Sequence, residues 1–229
     1  MGSEPIRETE PGSVTRVIRD AAMRGEADRY LAATLAPRAS RPGLLALAAF
    51  VADLGRIAPS VSEPMLGVIR LQWWRDALEA GGTATATGYP VADAWRAALG
   101  DNAPVREAAL ALIEARERDL DATPFASEEA LLAHLDATEG RAFGLALSLL
   151  GATDAPASPL ARAAGRAYGL SRRWGGGNWV GSRWADDGDR LASSRDLATS
   201  ALAEARSLRA ALPIRVRRQD LAASSGLPR

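Results

Sequence analysis

Apolar residues recur at three- and four-residue spacing along nearly the whole chain, the period of amphipathic helices rather than strands. Val14 to Ala36 reads as one helix with Arg and Asp outward, ending near Pro37. A second helix starts around Pro42, where proline's missing N–H costs nothing. It sets Leu44, Leu47, Phe50, Val51, Leu54 and Ile57 on one face before Pro59 ends it. Ser62-Glu63-Pro64 is a helix-start signal, a cap residue followed by an acid and a proline in the first turn. The helix it opens, Glu63 to Ala80, is apolar almost all round. Leu66, Ile69 and Trp73 lie on one side, and Val68, Leu71, Trp74 and Leu78 on another, a pattern that predicts burial. Gly81-Gly82 ends it, and Thr83 to Gly88 is a polar connection.

Further helices are expected at Val91–Leu99 and Pro104–Leu120, the latter exposing Glu114 and Arg118 as an i,i+4 pair worth about 0.3 kcal/mol. Ser127-Glu128-Glu129 caps a helix running to Leu150, with Gly151 as its stop. Another runs from Pro159 to Trp174. Gly175-Gly176-Gly177-Asn178 and the polar stretch to Asp189 read as a loop without a P-loop's lysine, and a last helix spans Leu191 to Leu212. The expectation is all-α: residues 1–12 a disordered lead, 13–212 one helical domain, 213–229 a tail.

Composition narrows the chemistry. Apolar residues make up 47% of the 229, enough for a sizeable core. Formal net charge is zero, which argues against nucleic acid as a partner. Lysine and cysteine are absent, so Schiff-base, Walker-lysine, disulfide and thiolate chemistry are excluded. The single histidine, His134, reads as a solvated surface residue. Any metal would be a hard one held by carboxylates, such as Mg²⁺. No window approaches the roughly 18 consecutive apolar residues of a spanning helix, and the first ten residues carry three glutamates and no apolar run. A cytoplasmic protein is expected, with at most peripheral membrane contact through Arg215, Arg217 and Arg218.

Three stretches together resemble the squalene/phytoene synthase family: DRYLAATLAPRASRPGLLALAAF (Asp28–Phe50), VSEPMLGVIRLQWWRDAL (Val61–Leu78) and HLDATEGRAFGLALSLLG (His134–Gly151), with AGRAYGLS (Ala164–Ser171) as a weaker fourth. The SEP…IRLQWW segment is typical of a divergent branch that includes bacterial phytoene-synthase-like proteins and mitochondrial respiratory complex I assembly factors. The resemblance implies an isoprenoid-synthase-like helical bundle with a central cavity for prenyl chains. It also implies that this chain stops short of the family's last helix or two. Active members join two prenyl diphosphates head to head. Two aspartate-rich motifs hold Mg²⁺, which grips the departing diphosphate.

Register within the resemblance puts Gly55 and Pro59 at the first pair of aspartate positions, and Gly176 and Val180 at the second. Asp53 is nearby without a carboxylate at i+4, and Asp186, Asp187 and Asp189 stand further along as displaced metal-ligand candidates. Tyr30 and Arg41 fall where the family's substrate-side aromatic and arginine lie, and Arg70 and Trp73, on the Trp-bearing helix, are further substrate-binding candidates. Arg70 and Arg75 either grip a diphosphate or pair with Asp53, Asp76 or Glu79. Trp73 and Trp74 point about 100° apart, so at least one packs in the core. Gly140 and Gly144 allow close helix approach or leave cavity room. The chain is expected to be a non-catalytic member without a cofactor, binding an isoprenoid, prenyl diphosphate, other lipid or a protein partner, including in respiratory-complex assembly. The alternative is a Mg²⁺-dependent head-to-head prenyltransferase that uses the displaced acids.

Overall fold

Proline and glycine set most of the boundaries in the computed structural model, which describes residues 11–81, 85–121, 123, 125–152, 158–174 and 188–211. The expected lead over residues 1–10 and the tail 213–229 lie outside them. All regular structure among the described residues is helical: α1 (Pro11–Gly25), α2 (Ala27–Leu35), α3 (Arg41–Ile57), α4 (Pro64–Glu79), α5 (Pro90–Leu99), α6 (Ala103–Ala115), α7 (Glu128–Leu135), α8 (Arg141–Leu149), α9 (Pro159–Trp174) and α10 (Gly188–Ala211). Proline stands in the first turn of α3, α4, α5 and α6. Asn102 and Ser127 cap α6 and α7 by accepting from Val105 N and Ala130 N, each at 3.2 Å. Gly151 closes α8 at a φ of +84°, where other residues are strained.

The bundle is organised around α3, whose Leu44, Leu47, Phe50, Val51, Leu54 and Ile57 are all buried, as their spacing predicts. It packs against α1, α2, α5 and α8. At its centre Phe50 stacks on Trp95 with centroids 5.2 Å apart and meets Trp74 edge-on at 5.0 Å. By length and hydropathy Arg41–Ser60 could cross a membrane, but 56% of its most apolar window is buried inside the bundle. Its apolarity is that of a core helix.

Several expectations are corrected. Val14–Ala36 is two helices, because Glu26 leaves the helical region at φ −139°, ψ 55° and turns its carboxylate inward. The first helix begins at Pro11, so residues 11 and 12 belong to it. Pro104–Leu120 tightens into a 3-10 turn at Arg116–Leu120, where Arg118 pairs with Asp121 at 3.2 Å. The helix from Ser127 to Leu150 carries a π turn, Asp136–Gly140, between α7 and α8. The last helix starts at Gly188, so Asp189 lies on its first turn rather than in a loop. The rest of the expected loop, 175–187, lies outside the described residues. Finally, α4 buries only Gly67, Leu71, Trp74, Ala77 and Leu78. Its opposite face is exposed.

The π turn and α9 approach each other backbone to backbone. A Cβ on Gly165 would fall inside the backbone of Gly140, and one on Gly140 would lie 3.2 Å from Arg162 Cα. Gly140 therefore serves close packing. Gly165→Ala is expected to destabilise the protein by about 3 kcal/mol, the upper end of overpacking penalties, because the obstacle is backbone. Urea unfolding of the variant against the unchanged chain measures this; a loss under about 1 kcal/mol would mean that the two segments part without cost.

Candidate functional site

Two places gather polar chemistry, and the sequence-predicted residues divide between them and elsewhere. The first is an open groove of about 440 Å³ where the C-terminal end of α3 faces α4 and the start of α5. Asp53, Arg56 and Ser60 line one wall; Arg70, Trp73, Trp74 and Tyr89 line the other. The groove exists because Asp53, Arg56 and Ile57 share one face of α3, as i+3 and i+4 neighbours do. Trp73 meets Trp74 at 5.3 Å and Tyr89 at 5.9 Å between centroids, forming an aromatic shelf.

Asp53 is buried, and both carboxylate oxygens are in use. Arg56 donates to one and the Tyr89 hydroxyl to the other. Burial, then the hydrogen bond to Asp53, pushes the Tyr89 phenol well above its ordinary range, so it stays a neutral donor. Arg70 differs from Arg56: it donates to the Ser60 hydroxyl at 2.7 Å and has no carboxylate partner among the described residues. Arg75 pairs with Glu117 at 2.6 Å, the internal role weighed for it, with an acid other than those foreseen.

Of the sequence-predicted set, Asp53, Arg70 and Trp73 come together in this groove. Tyr30 and Arg41 do not join them. The Tyr30 hydroxyl accepts from Arg19 at 3.3 Å, and Arg41 donates to the Ala36 carbonyl at 2.7 Å, bracing the α2–α3 connection. Asp186 and Asp187 lie outside the described residues, as do Gly176, Val180 and the side chain of Asp189.

The residues at the first motif do not fit Mg²⁺. Gly55 offers no ligand and faces open space, and Pro59 offers none. Asp53 would have to release Arg56 and Tyr89 before its oxygens could turn to a metal.

The second place was missed by sequence reasoning. Three buried or half-buried carboxylates (Glu26, Asp119, Glu139) meet three guanidiniums (Arg29, Arg116, Arg172) inside the bundle. Arg29 bridges Glu26 and Glu139, its guanidinium lying over both the Phe143 and Tyr168 rings, 4.6 and 4.7 Å from their centres. Arg116 bridges Glu139 at 2.9 Å and Asp119 at 3.2 Å. His134 donates Nε2–H to Asp119 at 2.9 Å, so the expectation of a solvated surface histidine is wrong. The residue is 8% exposed. It reads as superficial in sequence because its acidic neighbours suggest water; the fold turns it toward the 3-10 turn instead. A sequence signal did exist: Glu139 is flanked by Thr138 and Gly140 on a helix otherwise apolar toward the core.

Burial opposes the Glu139 charge, yet Arg29 and Arg116 outweigh it and hold its pKa down at about 2. Burial likewise opposes Asp119, while His134 and Arg116 pull it below its ordinary value. Burial, then Glu26, raises the Tyr168 phenol to about 12. Near neutral pH Glu139 and Asp119 are thereby held as carboxylates and Tyr168 as a neutral phenol. Beside the cluster opens an apolar groove of about 530 Å³, with Arg29 at one end and Ala33, Leu44, Leu47, Phe143 and Leu147 along its walls.

Comparison with known proteins places these features in context. The squalene/phytoene synthase family profile matches residues 22–174. The protein described as NADH dehydrogenase (ubiquinone) complex I, assembly factor 6, from Mus musculus is 31% identical over 144 residues, 62% of this chain and 43% of that one. The proteins of the same description from Rattus norvegicus and Homo sapiens are 32% identical over 144 residues and 30% over 142. The chain thus spans less than half the length of these relatives, 43% and 42%. No solved structure matches.

Replacing Glu139 leaves Arg29 and Arg116 buried without their shared counter-charge. Glu139→Gln is expected to cost about 3–5 kcal/mol. The sign with pH follows from the depressed pKa: the stability Glu139 contributes is full above its ordinary 4.5 and is lost as pH falls toward about 2. Urea unfolding of both proteins between neutral and acidic pH checks this. Parallel pH profiles for the two would remove Glu139 from the account.

Proposed function

The chain belongs to the squalene/phytoene synthase family, and from that premise we propose that it works without the family's prenyl-transfer chemistry, as a binding protein that assists assembly of the respiratory NADH dehydrogenase complex. The observation that carries this reading is the state of Asp53. It is the one carboxylate at the first motif, and it is committed to Arg56 and Tyr89. A metal-gripping site needs carboxylates that converge on open space, and here an arginine and a phenol occupy the acid. Gly55 and Pro59 add no replacement.

The similarity to proteins described as complex I assembly factors supports the direction of the proposal. The physical features agree with a binding role. The apolar groove beside Arg29 is of a size that takes a lipid or prenyl chain, within the usual roughly 300–1,000 Å³ of ligand sites. The Asp53 groove offers a guanidinium, Arg70, that has a hydroxyl but no carboxylate partner among the described residues, beside an aromatic shelf, an arrangement suited to holding an anion.

Two measurements together test the proposal. Incubated with farnesyl or geranylgeranyl diphosphate and Mg²⁺, the protein is expected to release diphosphate no faster than buffer alone. Deletion of its gene in the source organism is expected to lower the amount of assembled NADH dehydrogenase complex on native gels, with restoration by the unaltered gene. Metal-dependent diphosphate release would overturn the reading in favour of a prenyltransferase that recruits Asp186, Asp187 or Asp189. Unchanged complex levels on deletion would remove the assembly role.

A further inference from the structure

Helix α4 has two apolar faces, and the bundle uses one. Gly67, Leu71, Trp74, Ala77 and Leu78 turn inward. Met65, Leu66, Val68, Ile69 and Trp73 turn outward and are between 40% and 64% exposed. At about 100° per residue, these five span one continuous strip centred opposite the buried face. Arg70 lies along one edge of the strip and Arg75 along the other. Monomeric surfaces scatter single apolar residues, but five on one helical face form a patch that calls for an occupant.

We propose that this strip is a docking surface for an anionic phospholipid bilayer, with α4 lying in the interface plane. Three features favour a bilayer over other occupants. First, the patch has the composition of interfacial helices: aliphatic and Met side chains, a tryptophan with a polar tip, and at one rim Arg70, which has no carboxylate partner among the described residues. Second, it runs directly into the Asp53 groove, since Trp73 belongs to both. There Arg70 has a serine hydroxyl as its partner and no carboxylate, and Arg56 is about half exposed. A lipid phosphate seated between them would complete the hydrogen bonding of Arg70 while the strip enters the acyl boundary. Third, the acids of this helix do not break the strip's first two turns. Glu63 precedes the helix, Asp76 accepts from Gln72 at 2.7 Å at the strip's far end, and Glu79 lies in the last turn. The contact is therefore confined to the N-terminal part of α4. This inference stands independently of the assembly reading.

Cosedimentation with vesicles of phosphatidylcholine alone, or mixed with phosphatidylglycerol, tests it on the full chain. Sedimentation with the mixed vesicles and weaker association with the neutral ones is expected. Met65→Glu and Ile69→Glu are each expected to lower partitioning at least about tenfold, the equivalent of one aliphatic side chain kept from the acyl boundary. Both positions are exposed, so circular dichroism melts should match the unchanged protein. Arg70→Glu should remove the preference for anionic vesicles. Failure to associate with either vesicle would overturn the proposal, as would association indifferent to all three substitutions. So would a concentration-dependent dimer that Ile69→Glu converts to monomer, because a second copy would then be the occupant. Stabilisation by soluble geranylgeranyl diphosphate without vesicle binding would assign the Arg70 groove to a free ligand and overturn it too.

Discussion

Glu139 is 3% exposed and ionised, and much of the bundle is arranged so that this is tolerable. An unpaired carboxylate at that depth would cost many kcal/mol, so the fold must deliver cations from elsewhere in the sequence. Arg29 comes from α2, 110 residues away, and Arg116 from the 3-10 turn, 23 residues away. Each cation then needs its own second acid, which brings in Glu26 and Asp119, and these recruit Arg172, Tyr168 and His134. The irregularities of the backbone fall where this network demands them. The break at Glu26 aims its carboxylate inward. The π turn at Asp136–Gly140 carries Glu139, and the close contact of Gly140 with Gly165 lets α9 come near enough for Arg172 to reach Glu26.

Such a network is not an efficient source of stability, since apolar side chains of the same volume would serve as well. What it supplies is register. Helices rich in alanine and leucine can slide past one another at little energetic cost, because one small apolar face packs much like the next. A chain of charge pairs linking α2, the 3-10 turn after α6, α7, the π turn and α9 disfavours such slippage. The same logic accounts for Asp53. Arg56 and Tyr89 close over it, which makes it a tie between α3 and the start of α5.

The helices were largely legible in the sequence because their boundaries rest on local chemistry. Pro42, Pro64 and Pro159 start helices and Gly81 and Gly151 stop them whatever the tertiary structure does. The core face of α3 was legible for the same reason: Leu44, Leu47, Phe50, Leu54 and Ile57 follow helical period. What failed to read were features set by partners distant in sequence. Nothing near Glu26 announces that its carboxylate will meet Arg172, so the helix break was invisible. His134 reads as surface from the acids of its helix, Glu128, Glu129 and Asp136, but sits among Phe125, Asp119 and the 3-10 turn in space. At the candidate site, residue types at motif positions were readable, and that Arg70 and Trp73 lie one turn apart follows from helix geometry, whereas their meeting with Asp53 is set by how α3 packs on α4. The commitment of Asp53 to Tyr89, 36 residues on, does not.

Helix α4 shows how a correct pattern can carry a wrong inference. Its apolar residues are distributed all round, which ordinarily means burial on every side. The step that fails is the assumption that protein must supply both environments. Trp73 and Trp74 are adjacent in sequence and separated by about a quarter turn, so one neighbour can be core while the other is not. Trp74 completes the Phe50–Trp95 cluster and Trp73 remains 40% exposed beside Arg70. A solvent-facing helix under no other constraint would carry glutamate and arginine at positions 65, 66, 68, 69 and 73, since charged side chains there are free of desolvation cost and discourage aggregation. Five apolar residues instead, with Gln72, Asp76 and Glu79 entering the same face only beyond the second turn, make sense if the N-terminal part of the outer face meets a second apolar phase as the inner face meets the core. The near absence of amphipathicity in α4 is then the signature of a helix between two non-aqueous neighbours, one of them the bundle's own core.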